Sequence, residues 1–244
     1  MSNKHWITPD WPAPANVYAA TTLRTGGVSV GAFNCLNIAL HVGDDAGFVR
    51  QNRLIIKEML NLPEEPKWLE QIHSNQVIDA ACGDLIKQAD ASYTNKSGIV
   101  CAVMTADCLP LLVCASDGSQ VAAIHAGWKG LLAGVISNTL TAMVASCDAL
   151  VWLGPAIGSE YFEVGDDVRN AFLHKSIAFS KAFKAKSCGK WLADIYLLAR
   201  IDLAAMGITK VYGGTFCTFT EDNRFYSYRR DKETGRMVTL IWRD

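Results

Sequence analysis

The sequence lacks the features that mark several large protein classes. No apolar run approaches the ~20 residues that a membrane-crossing helix needs; the longest is Leu109 to Ala115. No secretory signal is expected, because Lys4 is followed by His5, Trp6, Pro9, Asp10 and Pro12 where such a signal would have a continuous apolar core. A cytoplasmic protein that does not enter a membrane is expected. Neither sign of charge is in excess, since 23 Lys and Arg face 24 Asp and Glu for a net charge of −1. With a pI near 6.5 there is no field to gather nucleic acid or anionic lipid, so no nucleic-acid partner is expected and any phosphate recognition must be local. The eight cysteines (Cys35, Cys82, Cys101, Cys108, Cys114, Cys147, Cys188 and Cys217) include no C-x-x-C pair, which argues against a disulfide framework, a zinc ribbon and a thioredoxin-type site. Repeats, low-complexity stretches and linkers are absent as well. No heptad or long apolar stripe calls for assembly, so a monomer is expected.

What is present is a large apolar fraction, 50% of 244 residues. A chain of this size buries roughly 70–75% of its unfolded surface, and we expect one domain over residues 1–244. Strands are expected at Val17 to Thr22, Trp68 to His73, Gln76 to Ala80, Ile99 to Met104, Leu109 to Cys114, Gln120 to Ile124, Ala149 to Leu153 and Ile208 to Tyr212. A hairpin-like pair, Phe225 to Tyr228 and Met237 to Trp242, would turn at Asp231 to Gly235. Helical spacing marks Phe48 to Leu60 behind Asp44 and Asp45, then Leu131 to Val144 and Trp191 to Met206. The glycine-dense Arg24 to Gly31 is a loop. About nine or ten strands and four helices that do not alternate strictly favour α+β over a doubly wound parallel sheet.

Three metal-ligand candidates each stand where a strand is expected to end: His73, Cys108 and His125. Two imidazoles and a thiolate suit zinc, and three protein ligands with one open position are what catalytic zinc uses; such a site lowers the pKa of bound water to about 7. The bland alternative is a buried cysteine and two histidines of the core. A third reading makes Cys108 a nucleophile activated by His125 or His73, which excludes its coordination to a metal. The run His125-Ala-Gly-Trp-Lys-Gly130 can aim backbone N–H groups at an anion with Lys129 as a point charge, although it lacks P-loop spacing and also reads as a plain tight turn. Arg24 beside Gly26-Gly27 and the pair Arg229-Arg230 are guanidinium forks suited to phosphate, or surface charge. Asp107 can orient a histidine or act as general acid or base, Asp90 is a second carboxylate among small residues, and His41 is a candidate for substrate contact.

Taken in order, these motifs resemble the YfiH family, also called the laccase-domain or polyphenol oxidase family. The residues that carry the resemblance are Thr22-Leu-Arg-Thr-Gly-Gly-Val-Ser29, Trp68-Leu-Glu-Gln-Ile-His73-Ser, Met104-Thr-Ala-Asp-Cys108-Leu-Pro110, His125-Ala-Gly-Trp128, Leu153-Gly-Pro-Ala-Ile-Gly158, Phe162-Glu-Val-Gly165 and Phe225-Tyr-Ser-Tyr-Arg-Arg230. The resemblance implies an α/β/β/α sandwich of two packed mixed sheets flanked by helices, and zinc on His73, Cys108 and His125. It implies a purine nucleoside phosphorylase acting on adenosine, inosine, guanosine and methylthioadenosine, with adenosine deaminase activity in some members. Nucleoside and phosphate are then the partners, with Arg24, His41, Lys129, Arg229 and Arg230 as binding candidates and Asp107, Cys108 and His125 as catalytic ones. Lys129 stands where the family usually has Arg, so a bidentate fork is replaced by a point charge. The H-x-E and P-C-x-x-C signature of nucleobase deaminases is absent, so any deamination would use another site design.

Two rivals stay open: a zinc hydrolase that edits peptidoglycan precursors by removing misincorporated serine, and a non-catalytic zinc-stabilised binding protein. A copper laccase is disfavoured, since five histidines with no H-x-H pair cannot build a multicopper cluster; copper at this site would be adventitious.

Overall fold

The computed structural model describes residues 4–82, 87–143 and 148–244. The strands are β1 (Trp6–Ile7), β2 (Val17–Thr22), β3 (Leu69–Glu70), β4 (Val77–Asp79), β5 (Lys87–Gln88), β6 (Ala91–Thr94), β7 (Cys101–Thr105) and β8 (Leu109–Cys114). They continue as β9 (Val121–Ala126), β10 (Leu150–Leu153), β11 (Glu163–Gly165), β12 (Phe183–Ala185), β13 (Lys190–Ala193), β14 (Val211–Gly213) and β15 (Met237–Arg243). The helices are α1 (Ala46–Met59), α2 (Trp128–Ala133), α3 (Val135–Ala142), α4 (Asp166–Lys175), α5 (Ile195–Ala205) and the single turn α6 (Tyr228–Asp231).

The fold is α+β, with two main sheets packed face to face. One has four strands in the order β1-β2-β15-β7 and is antiparallel throughout. The other has six in the order β14-β10-β8-β9-β6-β4 and is mixed, parallel at both edges and antiparallel between. Alternation along each strand divides its side chains between two layers. Cys101, Val103 and Ile241 of the first sheet meet Leu112, Ala123 and Trp152 of the second in the inter-sheet core. Leu109, Leu111, Val113 and Ile124 point the other way, onto α3 and α5 with Val135, Ile136, Leu198 and Leu203. On the far face of the four-stranded sheet, Met104, Val238 and Leu240 pack with Ile56 of α1. Each fully buried Val, Leu or Ile among them contributes roughly 1.5–3 kcal/mol.

Several elements differ from their sequence expectation. Trp191 to Ala193 is strand, and α5 begins only after Asp194, whose carboxylate accepts from Leu197 N at 2.9 Å and so caps it. The stretch expected to be one helix from Leu131 is two, because Gly134 is left-handed (φ +88°) and closes α2 before α3 begins; Val144 and Cys147 lie outside the described residues. Phe225 to Tyr228 does not pair with Met237 to Trp242: Ser227 caps the α6 turn, and β15 lies between β2 and β7. His73 is not in a strand, since β3 ends at Glu70. Asp45 alone caps α1, accepting from Gly47 N and Phe48 N, while Asp44 binds Ser29 Oγ and Asn37 Nδ2. α4, with Asp166 and Asp167 in its first turn, went unread in the sequence.

Candidate metal centre

Three segments that are distant in sequence converge at one end of the six-stranded sheet. β7 and β8 belong to different sheets, and the tight turn between them carries Asp107, at φ +88°, and Cys108. β8 pairs with β9 so that Leu109 faces Ala126 and Pro110 faces His125, which sets the imidazole beside the turn. His73, at φ +59°, comes from the loop after β3. Two non-glycine residues in left-handed conformation at one site cost of order 1–3 kcal/mol each and persist only where the surroundings fix them. Here Asp90 fixes His73: its carboxylate accepts from the N–H groups of Ile72, His73 and Ser74, at 3.3, 3.0 and 2.6 Å, and from Ser74 Oγ at 2.7 Å. The same carboxylate accepts from His125 Nδ1 at 2.8 Å, leaving Nε2 as that ring's free donor atom.

The donor atoms of His73, Cys108 and His125 all lie within 4.8 Å of one another, and Cys108 Sγ is 3.8 Å from His73 Nε2. Donors bound to one tetrahedral ion at 2.0–2.3 Å stand about 3.3–3.8 Å apart, so these residues fit a metal. A histidine held through its other nitrogen by a carboxylate is the usual support for a metal ligand. Gly127 makes the room: a Cβ there would lie 3.0 Å from His73 Cδ2 and 3.1 Å from Cys108 Sγ. Burial pushes the Cys108 thiol pKa up, but the imidazoles of His125 and His73 outweigh it and draw the group toward the thiolate. Burial disfavours the charged His125 ring, and Cys108 and Asp90 outweigh that, so its pKa is raised. Asp90 is buried, yet bonds from His125 and Ser74 hold its pKa at about 2.

The three donors stand between two cavities that share His73, Cys108 and Tyr228. The first, about 310 Å³, is walled by Trp128, Ile157, Phe162 and Ile195, with Asp107, Lys129 and Arg229 as its polar groups. The second, about 230 Å³, is lined by His41, Gln71, Thr105 and Arg236, among others.

The sequence pattern of the family described as multi-copper polyphenol oxidoreductase laccase matches residues 18–244. The chain belongs to this laccase-like, YfiH family. It is 49% identical over 239 residues to a purine nucleoside phosphorylase of Pseudomonas aeruginosa, covering 97% of this chain and 98% of that protein. The purine nucleoside phosphorylase YfiH of Escherichia coli is 48% identical over 238 residues, with the same coverage. A crystal structure from Neisseria meningitidis superposes with a TM-score of 0.95 at 49% identity, covering 99% of this chain and 100% of that one. YlmD of Geobacillus stearothermophilus does so at 0.91 and 30% identity, covering 100% and 97%.

Within this laccase-like fold the expected site residues do not all meet. His73, Cys108 and His125 come together; Asp107, Lys129 and Arg229 line the first cavity and His41 the second. Asp107 binds no histidine: it accepts from Thr218 Oγ1 and Arg229 N, both at 2.6 Å, and fastens the β7–β8 turn to two other segments. Arg229 donates through Nη1 to the carbonyls of Tyr161 and Glu163, and Lys129 is exposed beside the Trp128 ring. Arg230 spends its donors on Thr218 O, Phe219 O, Phe225 O and both oxygens of Asp231. Arg24 lies outside both cavities, stacked on Tyr226 and bonded to the carbonyls of Asn34 and Asp222. The glycines of its loop serve close packing, since a Cβ on Gly27 would come within 2.5 Å of Asn52 Oδ1. The expected anion-binding turn at 125–130 packs similarly: α2 starts at Trp128, and a Cβ on Gly130 would meet Ser74 O at 2.9 Å.

Sequence reasoning missed Arg236, Thr105, Gln71 and Tyr228. Gln71 sits two residues before His73 in the W-L-x-Q-x-H motif, and its amide exchanges two bonds with the edge of β7, Nε2 to Met104 O at 2.8 Å and Met104 N to Oε1 at 2.7 Å. Arg236 follows a turn, with no motif to mark it.

Proposed function

We propose that this chain is a zinc-dependent purine nucleoside phosphorylase, converting adenosine, inosine, guanosine or methylthioadenosine and phosphate to the free base and sugar 1-phosphate. The observation that carries the reading is the His73–Cys108–His125 group set between an aromatic cavity and a smaller polar one that holds Arg236. The names borne by the Pseudomonas and Escherichia relatives support it. In the reaction an oxygen of hydrogen phosphate bonds C1′ as the C1′–N9 bond breaks; the bonding pair leaves with the purine, which also ends with the proton that phosphate carried. Trp128, Phe162 and Ile157 offer the flat apolar surface a purine needs. Lys129 and Arg229 bring positive charge to the lining of that cavity, and Asp107 can accept a hydrogen bond from base or sugar. A zinc ion held by His73, Cys108 and His125 supplies Lewis acidity toward an oxygen of phosphate, sugar or water. A thiolate and two neutral imidazoles are a set that zinc takes readily, and copper would compete at the same N and S donors.

The test joins elemental analysis of the purified protein to mass spectrometry of inosine, adenosine and methylthioadenosine incubations with and without phosphate. Phosphate-dependent appearance of base and sugar 1-phosphate, from protein carrying one zinc per chain, is the expected result. Nucleosides left intact by zinc-loaded protein would overturn the reading. Inosine formed from adenosine without phosphate would reveal deamination as a second activity.

A further inference from the structure

We propose that the second cavity is the phosphate subsite, in which Arg236 and Thr105 grip the oxyanion while the nucleoside occupies the aromatic cavity across the donor triad. The proposal rests on the phosphorylase reading of the site and adds residues to it.

Thr105 is 2% exposed and lines this cavity, yet its hydroxyl has no hydrogen-bond partner among the described residues. Its place follows from strand parity, since Cys101, Val103 and Thr105 form one row of β7 and the first two are in the inter-sheet core; the third ends that row at the cavity. β15 pairs Met237 with Thr105, which brings Arg236, one residue earlier, to the same edge. Arg236 N donates to Asn37 Oδ1 and its Nη1 to the carbonyls of Thr234 and Gly235, which anchors the side chain. Its side-chain bonds all leave from Nη1, so Nε and Nη2 have no acceptor among the described residues; the half-buried guanidinium lies over the Tyr228 ring at 5.9 Å, in the field of Asp107 and Cys108 but bonded to neither. Arg230, in contrast, has no donor to spare. His41 lines the same cavity as a further donor; burial, Arg236 and Arg53 all lower its pKa, so it stands there as neutral imidazole. Gln71 is committed to Met104. Among the described residues no Asp or Glu lines this cavity, whereas Asp107, which repels a phosphate dianion, lines the other beside Lys129 and Arg229, and Arg229 already spends Nη1 on the carbonyls of Tyr161 and Glu163. A planar guanidinium with free donors beside a buried hydroxyl is the recognition chemistry of a tetrahedral oxyanion.

Two readouts on the zinc-loaded protein test this: KM for phosphate and for inosine, and broadening of the phosphorus NMR line of inorganic phosphate with no nucleoside present. Arg236→Gln is expected to raise KM for phosphate by about tenfold or more, with KM for inosine changed less than about twofold, and Arg236→Lys to recover part of the loss. Thr105→Val, nearly the same size and so a safeguard against a folding artefact, is expected to raise KM for phosphate about threefold. The proposal is overturned if both Arg236→Gln and Thr105→Val leave KM for phosphate unchanged, or move both KM values together. It is also overturned if adenosine 5′-monophosphate displaces phosphate from this site, which would assign the cavity to a substrate's own phosphate. Line broadening by the wild type that Arg236→Gln abolishes, without nucleoside cleavage, would uphold the subsite and remove the phosphorylase reading; phosphorolysis indifferent to both variants would do the reverse.

Discussion

Asp90 is the residue on which the donor set most depends, because one buried carboxylate orients His125 and folds the loop that presents His73. Asn at this position keeps the shape but offers a single acceptor oxygen, and its NH2 would face N–H groups. Leaving buried donors without an acceptor costs about 1–3 kcal/mol, and loss of a carboxylate behind a metal-bound histidine typically costs 10–100-fold in affinity. Asp90→Asn should therefore weaken zinc binding about 10–100-fold in competition with a chelating dye; unchanged affinity would deny Asp90 its orienting role. The sequence shows Asp90 and Asp107 as similar carboxylates, and adjacency to Cys108 favours Asp107 as the histidine's partner. What decides is a cross-strand relation: β6 lies beside β9, so His125 N donates to Asp90 O at 2.7 Å and the two side chains meet on one face. The cysteines separate by the same local logic. Burial pushes the Cys101 and Cys114 thiols up to about 12, while the imidazoles draw Cys108 the other way. Thiolate is the reactive form, so iodoacetamide at neutral pH should modify Cys108 in metal-free protein and spare Cys101 and Cys114. Added zinc should protect Cys108 alone; peptide mass spectrometry reads both, and labelling of Cys108 that zinc leaves unchanged would count against its being a ligand.

At the scale of elements, the site consists of turns held against strand ends, and these are what periodicity reads least well. The strands Val17–Thr22 and Leu109–Cys114 have the limits their β-branched and apolar runs suggest. Elements went astray where a cap or a left-handed residue interrupts an otherwise continuous pattern, as Asp194 does before α5 and Gly134 does between α2 and α3. The missed hairpin failed for a different reason. β15 finds its partners, β2 and β7, in remote parts of the chain, and no local spacing records that. The turn from β9 into α2 bears directly on the donors, because Gly127 passes close to two of the donor residues. Its φ of −65° suits any residue, so a substitution acts through space and not through backbone strain. Gly127→Ala should push His73 and Cys108 apart by a few tenths of an ångström and lower zinc affinity, while far-ultraviolet circular dichroism stays as in the wild type. Full affinity in that variant would show that the 3.0–3.1 Å contacts relax without moving the donors.

For the whole molecule, composition points to an ample core and the non-alternating order of strands and helices to an α+β fold; the connection from β7 in one sheet to β8 in the other lies beyond both. That connection gives metal binding a global consequence. His73 lies on the loop after β3, Cys108 on the link between the sheets and His125 on a central strand, so an ion shared by the three adds a tie among three segments that are distant in sequence. A ligand that binds only the folded chain stabilises it by mass action, about 2.7 kcal/mol when its free concentration is 100 times Kd. For a chain of this size 1 kcal/mol moves Tm by about 2–4 °C, so zinc at that excess should raise Tm by about 5–10 °C, measured by calorimetry against chelator-treated protein. Binding requires the thiol and both imidazoles to be free of protons. The zinc-dependent gain should accordingly shrink as pH falls, when protons compete for the same three atoms, and grow as pH rises above neutral, because the raised pKa of His125 keeps a proton on that ring at pH 7. Cys108→Ala, which removes a donor at the link between the sheets, should abolish the gain at every pH; a variant whose Tm still rose with zinc as the wild type does would place the stabilising ion elsewhere.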